Sequence, residues 1–290
     1  MNDTLLRTSL LDLLNLLGSD TKGIFLGGGY GLYLKQLHLA ESGIRTLISS
    51  IVRPAPRATQ DIDLMLSAEW VADARSMGAV RAALDKLDYK VIKGSEYLQF
   101  SKMIGDTQEV KLDLLTVQYE ALKDNPAIIA DKEKRRARPK AENRPKLHAH
   151  PTDGALTLTD SPLVIEVAGT LTNGQNIIMP VAIPHPFNYL LMKLTAYRDR
   201  RNDSNKDLGR HHALDIFRII AMLTRPEYDY VQENLKKYAD DSQVHSCVDI
   251  LRSDFESSSS SGILAMREHP IWRNDQQLSD FLKTLNGLTT

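Results

Sequence analysis

Apolar residues recur on a helical spacing at the start of the chain. Leu5, Leu6, Leu10, Leu11, Leu13, Leu14, Leu16 and Leu17, interrupted by Arg7, Asp12 and Asn15, predict an amphipathic helix. The apolar run Gly23-Ile24-Phe25-Leu26 predicts a short buried strand, ended by Gly27-Gly28-Gly29. Leu32, Leu34, Leu37 and Leu39 among polar residues predict a helix over 30–39, so the glycines fall at a strand-to-helix turn. Over 40–60 the periodicity fails: Pro54 and Pro56 break it and Arg45, Arg53 and Arg57 stud it, which predicts a loop or insertion. Residues 61–66 alternate and then turn fully apolar, as a strand does; 68–87 read as a helix, and 89–92, 97–100 and 110–115 as short strands of an antiparallel or mixed sheet.

Residues 131–146 hold eight basic and three acidic residues, two prolines and almost nothing apolar, which predicts a loop or mobile arm. Beyond it, 155–159 and 163–168 alternate like strands, Asn173-Gly174 marks a hairpin turn, and 177–183 is the return strand. After Pro184 and Pro186 the pattern becomes helical, over 187–197, 207–223 and 228–239. Five serines at 257–261 predict a flexible link before a last short helix near 278–285. The organisation expected is an α/β domain over 1–183, a helical domain over 184–256, and a Ser-rich linker with a terminal helix over 257–290.

Composition narrows the class. Of 290 residues 42% are hydrophobic and 25% charged, the balance of an ordinary globular chain. Lys+Arg number 36 against 37 Asp+Glu, so bulk charge alone cannot drive nucleic-acid binding, and any basic surface is local. A single cysteine, Cys247, excludes an internal disulfide and suits a reducing compartment. The first helix is too interrupted for a signal peptide and no window is apolar enough to span a membrane, so a cytoplasmic protein is expected.

The chemistry concentrates in the strand over 61–66. Side chains alternate with period two, so Asp61 and Asp63 leave one face while Ile62 points to the other. Two ionised carboxylates so close repel unless a cation sits between them. Oxygen ligands with room for water suit Mg²⁺ or Mn²⁺, ions that bind one or two carboxylates together with substrate phosphates. Asp113 is a lone carboxylate in the apolar run Val110-Lys111-Leu112-Asp113-Leu114-Leu115, where an unpaired charge is expensive to bury. It is expected to border the pair, as a third ligand or as the group that takes the attacking hydroxyl's proton; a salt bridge to Lys111 or a neighbour is the alternative. The glycine turn lets backbone approach a phosphate at a helix N-terminus, though glycines also serve tight packing. Lys193 is a cation inside an apolar helical stretch, with Arg198 five residues on. His148, His150, His211 and His212 lack the partners of a zinc site, Cys247 has no evident base, and Trp70 and Trp272 read as packing residues.

A Gly-Gly turn, a DxD strand and a third carboxylate on a neighbouring strand resemble the nucleotidyltransferase superfamily, the fold shared with polymerase beta. Within it the chain looks most like the AbiEii-type toxins, which include the MenT toxins of mycobacteria. The resemblance lies in Arg57-Ala58-Thr59-Gln60-Asp61-Ile62-Asp63-Leu64, Met192-Lys193-Leu194-Thr195-Ala196 and His212-Ala213-Leu214-Asp215-Ile216-Phe217-Arg218, and covers roughly residues 20–225. It implies an α+β fold: a mixed sheet with flanking helices, followed by a helical C-terminal domain. Gly28 and Gly29 would hold a triphosphate, and Asp61, Asp63 and Asp113 a divalent ion. Lys193 and Arg198 would contact the nucleotide, and Asp215, with Asp207 as rival, would match the family's last acidic motif. The activity implied moves a nucleoside monophosphate from an NTP to an acceptor hydroxyl, in the toxins typically a tRNA 3′ end, with an antitoxin as partner. Transfer to a small molecule or a protein, or a non-catalytic nucleotide-binding module, are the alternatives. The chain departs from the pattern in three places: 31 residues separate Gly29 from Asp61, glycine replaces the commoner serine in the turn, and Tyr197 stands where Thr or Arg is frequent.

Overall fold

A computed structural model describes residues 3–18, 21–49, 61–95, 97–273 and 275–289. Most of the expected loop over 40–60, with Arg53, Pro54, Pro56 and Arg57, lies outside the described residues. So do Ala58, Thr59 and Gln60 of the motif before the DxD strand. The chain divides into two units. The first comprises Met1–Gly31, Ala58–Thr152 and Leu156–Pro184, and the second Leu32–Arg57, Asp153–Ala155 and His185–Thr290.

In the first unit, helix α1 (Asp3–Leu17) turns Leu6, Leu10, Leu11, Leu13 and Leu14 inward, each fully or almost fully buried. At about 1.5–3 kcal/mol per buried leucine, this face supplies the helix's stability. The central sheet is built from β1 (Ile24–Leu26), β2 (Asp61–Leu66), β3 (Lys90–Val91), β4 (Gln99–Ile104) and β5 (Gln108–Thr116), in the order β1-β2-β5-β4-β3. Only β2 and β5 among these run parallel, so the sheet is mixed. Helix α2 (Gly28–Glu41) follows β1 and continues into the second unit. Between β2 and β3 the expected single helix is two, α3 (Ala68–Ala72) and α4 (Ala74–Lys86). Asp73 divides them because its extended backbone ends one helix while its carboxylate accepts the Arg75 and Ser76 amides, both at 3.1 Å, to start the next.

After the single turn of α5 (Tyr119–Leu122), the basic run is a folded hairpin where a mobile arm was expected. It comprises β6 (Ile128–Asp131) and β7 (Arg136–Pro139). Buried Ile128, Ala137 and Pro139 anchor it, and the Ala137 and Ala149 backbones exchange both hydrogen bonds, at 2.8 and 2.9 Å. Two residues, β8 (His150–Pro151), then pair with β5. Residues 155–159 form turns, not the expected strand: Gly154 and Ser161 both have positive φ, and the Asp160 amide closes on the Thr157 carbonyl. Strands β9 (Leu163–Thr170) and β10 (Asn176–Ile183) form the predicted hairpin.

The second unit is helical: α6 (Pro186–Arg200), α7 (Arg210–Ala221), α8 (Arg225–Lys237), α9 (Ser242–Asp254), α10 (Ser261–Arg267) and α11 (Leu278–Leu288). Helix α9 has no counterpart among the sequence expectations. A 3₁₀ turn at Ser204–Gly209 precedes α7, so helix does not begin at Asp207. The serine run is not a slack link. The Ser257 amide donates to Ser260 Oγ at 3.1 Å, and Gly262 lies so close to the Phe255 ring that a Cβ would stand 2.5 Å from it. The architecture is thus α+β, a mixed sheet with helices followed by a helical C-terminal region.

His185 N-caps α6, its Nδ1 accepting the Phe187 amide at 3.2 Å, and its ring meets that of Tyr230 at a tilt of 48° with centroids 4.1 Å apart. Burial pushes its imidazole down to about 4, with Glu227 acting against the shift and Lys35 adding to it. A base depressed on folding is charged first in the unfolded chain, so stability present above the unfolded value near 6.5 drains away as pH falls toward 4. The loss amounts to roughly 3 kcal/mol at 1.36 kcal/mol per pH unit. His185→Asn, which keeps the cap, is expected to flatten the melting-temperature profile between pH 6.5 and 4.

Candidate functional site

Register decides which side chains meet. Strand β2 places Asp61 opposite Lys111 and Asp63 opposite Asp113 on β5, and β4 places Gln99 opposite Asp113. Opposed residues share a face, so Asp61, Asp63, Lys111, Asp113 and Gln99 lie on one side of the sheet. Ile62, Leu64, Leu112 and Leu114 leave the other side and are buried. The alternation that reads as DxD in the sequence is the alternation that sorts charge from core.

Gly28 opens α2 with φ +59°, and a Cβ there would stand 1.6 Å from Asp63 Oδ2. Glycine is therefore required twice, by the left-handed backbone and by the carboxylate lying against its Cα. The Gly27 amide donates to the Asp63 carbonyl at 2.8 Å, tying the turn to β2. Asp63 accordingly sits beside the first turn of α2, where amides without intrahelical acceptors favour negative charge.

Gln99, which the sequence pattern did not single out, holds Asp113. Its Nε2 donates to both carboxylate oxygens, at 3.1 Å each. Burial raises the Asp113 carboxyl above its usual range; the Gln99 hydrogen bonds oppose that shift, the Asp61 charge adds to it, and Lys111 opposes it. Lys111 Nζ stands 3.9 Å from Glu109 Oε2, so Asp113 is not simply its ion-pair partner. An acid raised on folding gives most stability below its unfolded value, near 3.8, and loses it as pH rises through the folded value. Asp113→Asn is therefore expected to raise the melting temperature by a few degrees at pH 7.5 and to lose that advantage near pH 3.5.

The donor set fits a hard divalent cation in kind: carboxylate oxygens on one face, with Asp61 acting on Asp113. It is not a closed cage. Among the described residues no three His, Cys, Asp or Glu side chains form a group that would hold a metal ion. The three aspartates share a face, with Asp113 held by Gln99 and Asp63 against Gly28.

The remaining residues implied by the resemblance lie in the second unit. Lys193 Nζ is 2.8 Å from Asp215 Oδ2, and Arg218 Nη1 is 3.3 Å from Asp215 Oδ1. Asp215 is fully buried and Arg218 1% exposed, with Arg218 Nη2 donating to Gln36 Oε1 at 3.2 Å. Lys193 thus neither snorkels to solvent nor stands apart; it and Asp215 are each other's partners. Lys193→Met takes one cation away from a buried carboxylate that Arg218 still faces. Breaking such pairs costs about 3–5 kcal/mol, and Arg218 sets the expectation at the low end. A loss of roughly 6–12 °C in melting temperature follows, at about 2–4 °C per kcal/mol; an unchanged melting point would exclude a structural task for the pair. Arg198, about 140° round the helix from Lys193, instead reaches Asp199 and Ser246, at 3.0 and 3.3 Å. Asp207 occupies the 3₁₀ turn at φ +56°, ion-paired to Arg210 at 3.3 Å.

No protein-family model matches the chain, and no curated protein matches it. One solved structure similar to it is the solution structure of the antibiotic-resistance factor ANT(2'')-Ia, described as revealing substrate-regulated conformation dynamics. The likeness covers 84% of this chain and 97% of that one, at 14% identity and a TM-score of 0.38. Such a likeness decides no activity. The residues of this chain have to carry it.

Other reactive groups are occupied elsewhere. Cys247 is buried, its thiol pushed up to about 11 by that burial, with Sγ 3.6 Å from the Leu191 carbonyl. His211 Nδ1 and His269 Nε2 are 2.7 Å apart. Trp70 lies on Gly23 and Trp272 meets Phe217 edge-on, both as packing residues. No helix among the described residues is long and apolar enough to cross a membrane.

Proposed function

We propose that the protein is a nucleotidyltransferase, with Asp61 and Asp63 holding a divalent cation and its NTP. The supporting observation is the acidic face of β2 and β5 set beside a glycine-opened helix. In the reaction an acceptor oxygen attacks the α-phosphorus. The new O–P bond forms as the bond from that phosphorus to the oxygen bridging to the β-phosphate breaks, and the electron pair leaves with pyrophosphate. Asp113 receives the acceptor hydroxyl's proton, a task suited to a carboxylate whose proton affinity burial has raised. The Gly28 and Gly29 amides at the first turn of α2 bind phosphate oxygens. Mg²⁺ or Mn²⁺, when bound, neutralises phosphate charge and orients the reacting groups. Lys193 and Arg198 remain candidates for a nucleotide contact, and Asp215 for the last acidic motif, on the resemblance alone; the buried Lys193–Asp215 pair supports a structural task.

The acceptor we favour is a tRNA 3′ end, and the biological setting that of a cytoplasmic toxin restrained by an antitoxin; both rest on the resemblance to AbiEii-type proteins. The test is incubation with Mg²⁺, each labelled NTP and total tRNA, beside a protein-only control. Label on tRNA that disappears in Asp61→Ala supports nucleotidyl transfer to tRNA. Label on protein or a small molecule alone keeps the transfer chemistry and rejects the tRNA acceptor. NTP binding with no incorporation anywhere favours a non-catalytic module.

A further inference from the structure

The folded basic hairpin assembles three guanidinium groups. In β7, Ala137 and Pro139 are buried, while Arg136 and Arg138 take the other face, opposite Asp131 and Ile129 of β6. Arg144 comes close from the following segment. Burial lowers the proton affinity of the Arg138 guanidinium, and the charges of Arg144 and Arg136 lower it further. Among the described residues no carboxylate pairs with Arg138, and its Nη1 is buried without a hydrogen-bond acceptor. Of its neighbours, Arg136 Nε is 4.0 Å from Asp131 Oδ2, and Arg144, exposed on the following segment, has Nη1 3.4 Å from the Ala141 carbonyl.

Like charges held together around an unsatisfied donor are costly unless an anion joins them. Guanidinium forks match phosphate oxygens in geometry as well as charge. The two β7 arginines are rooted about 6–7 Å apart. Lys132, Lys134 and Arg135 in the hairpin turn, with Lys140 and Lys146 beyond β7, extend the basic track past a single phosphate. We propose that Arg136, Arg138 and Arg144 form a binding site for the phosphodiester backbone of a nucleic-acid strand. As the grip on an acceptor RNA the site rests on the transfer reading above; as a binding site it is measured without it.

The test is fluorescence anisotropy of a labelled 20-nucleotide oligo(U) with the full chain, in EDTA and without NTP, over a salt series. Each phosphate contact adds about −0.7 to the slope of log affinity against log salt for single strands. Three contacts give about −2, roughly an eighteen-fold loss between 50 and 200 mM salt. R136Q/R138Q/R144Q is expected to remove that part of the slope while keeping a cooperative thermal melt. K86Q/K90Q/K93Q, which removes equal charge from exposed positions, is expected to bind as wild type does.

Several results would overturn the site: no binding by wild type, an unchanged slope in the arginine variant, an equal loss in the lysine variant, or displacement of RNA by equimolar ATP or inorganic phosphate. If RNA binds as expected but no NTP is ever incorporated, the transfer reading fails and the site stands. Incorporation with no arginine-dependent binding does the reverse.

Discussion

Asp63→Asn is expected to lower nucleotidyl transfer by about three orders of magnitude or more while leaving the fold intact. The substitution keeps the size and planarity of the side chain, so Gly28 still accommodates it, but removes the charge that a Mg²⁺-bound triphosphate requires. Preorganised charge at a phosphoryl centre is typically the largest single contribution to rate, and removing one such group costs about 10²–10³ even where the metal stays. Loss of a metal ligand should cost more. Asp63 is half-buried and the amide keeps its shape against Gly28, so the variant should still melt cooperatively. Steady-state incorporation of labelled NTP, beside a thermal melt, checks both halves. Activity within ten-fold of wild type would remove Asp63 from the chemistry.

Gly28→Ala should disable the protein by a different route. The new methyl group would overlap Asp63 Oδ2, 1.6 Å from the Cβ position, and must be accommodated at φ +59°. The backbone strain alone is of order 1–3 kcal/mol for a non-glycine residue. The clash displaces either the carboxylate or the first turn of α2, and a displacement near 1 Å costs about 10²-fold in rate. Activity is expected to fall by about 10²–10³ with a melting temperature several degrees lower. Gly28→Ala/Asp63→Ser, which shortens the clashing side chain, should recover the part of the melting temperature lost to the clash, though not the part lost to strain at φ +59°, and no activity. That split distinguishes a steric role of glycine from a purely phosphate-binding one, in which the second substitution would restore nothing.

The polar strand was legible because its code is local. Asp61, Ile62, Asp63 and Leu64 alternate, and strand geometry converts that alternation directly into an acidic side and an apolar side. Asp113 was legible for the same reason, as a charge out of place among Val110, Leu112 and Leu114. Its partner Gln99 was not, because a glutamine beside a short strand carries no signal until register sets it opposite Asp113. The division at Asp73 is hidden in the sequence because apolar periodicity runs through this capping aspartate, whose bonds to the Arg75 and Ser76 amides only the fold discloses. The basic hairpin reads as an arm in the sequence because its few anchors, Ile128, Ala137 and Pro139, are too sparse for a pattern. The burial of Lys193 against Asp215 joins residues 22 apart on two helices, a pairing only packing discloses.

We propose that the acidic face of β2 and β5 takes up a nucleoside triphosphate through a divalent cation. Calorimetric titration of NTP into the protein, with Mg²⁺ and with EDTA, measures this most directly. Saturable heat in Mg²⁺ that vanishes in EDTA and in D61N/D63N is the predicted result. Uptake of NTP that is the same without metal, or unchanged in D61N/D63N, would contradict the account.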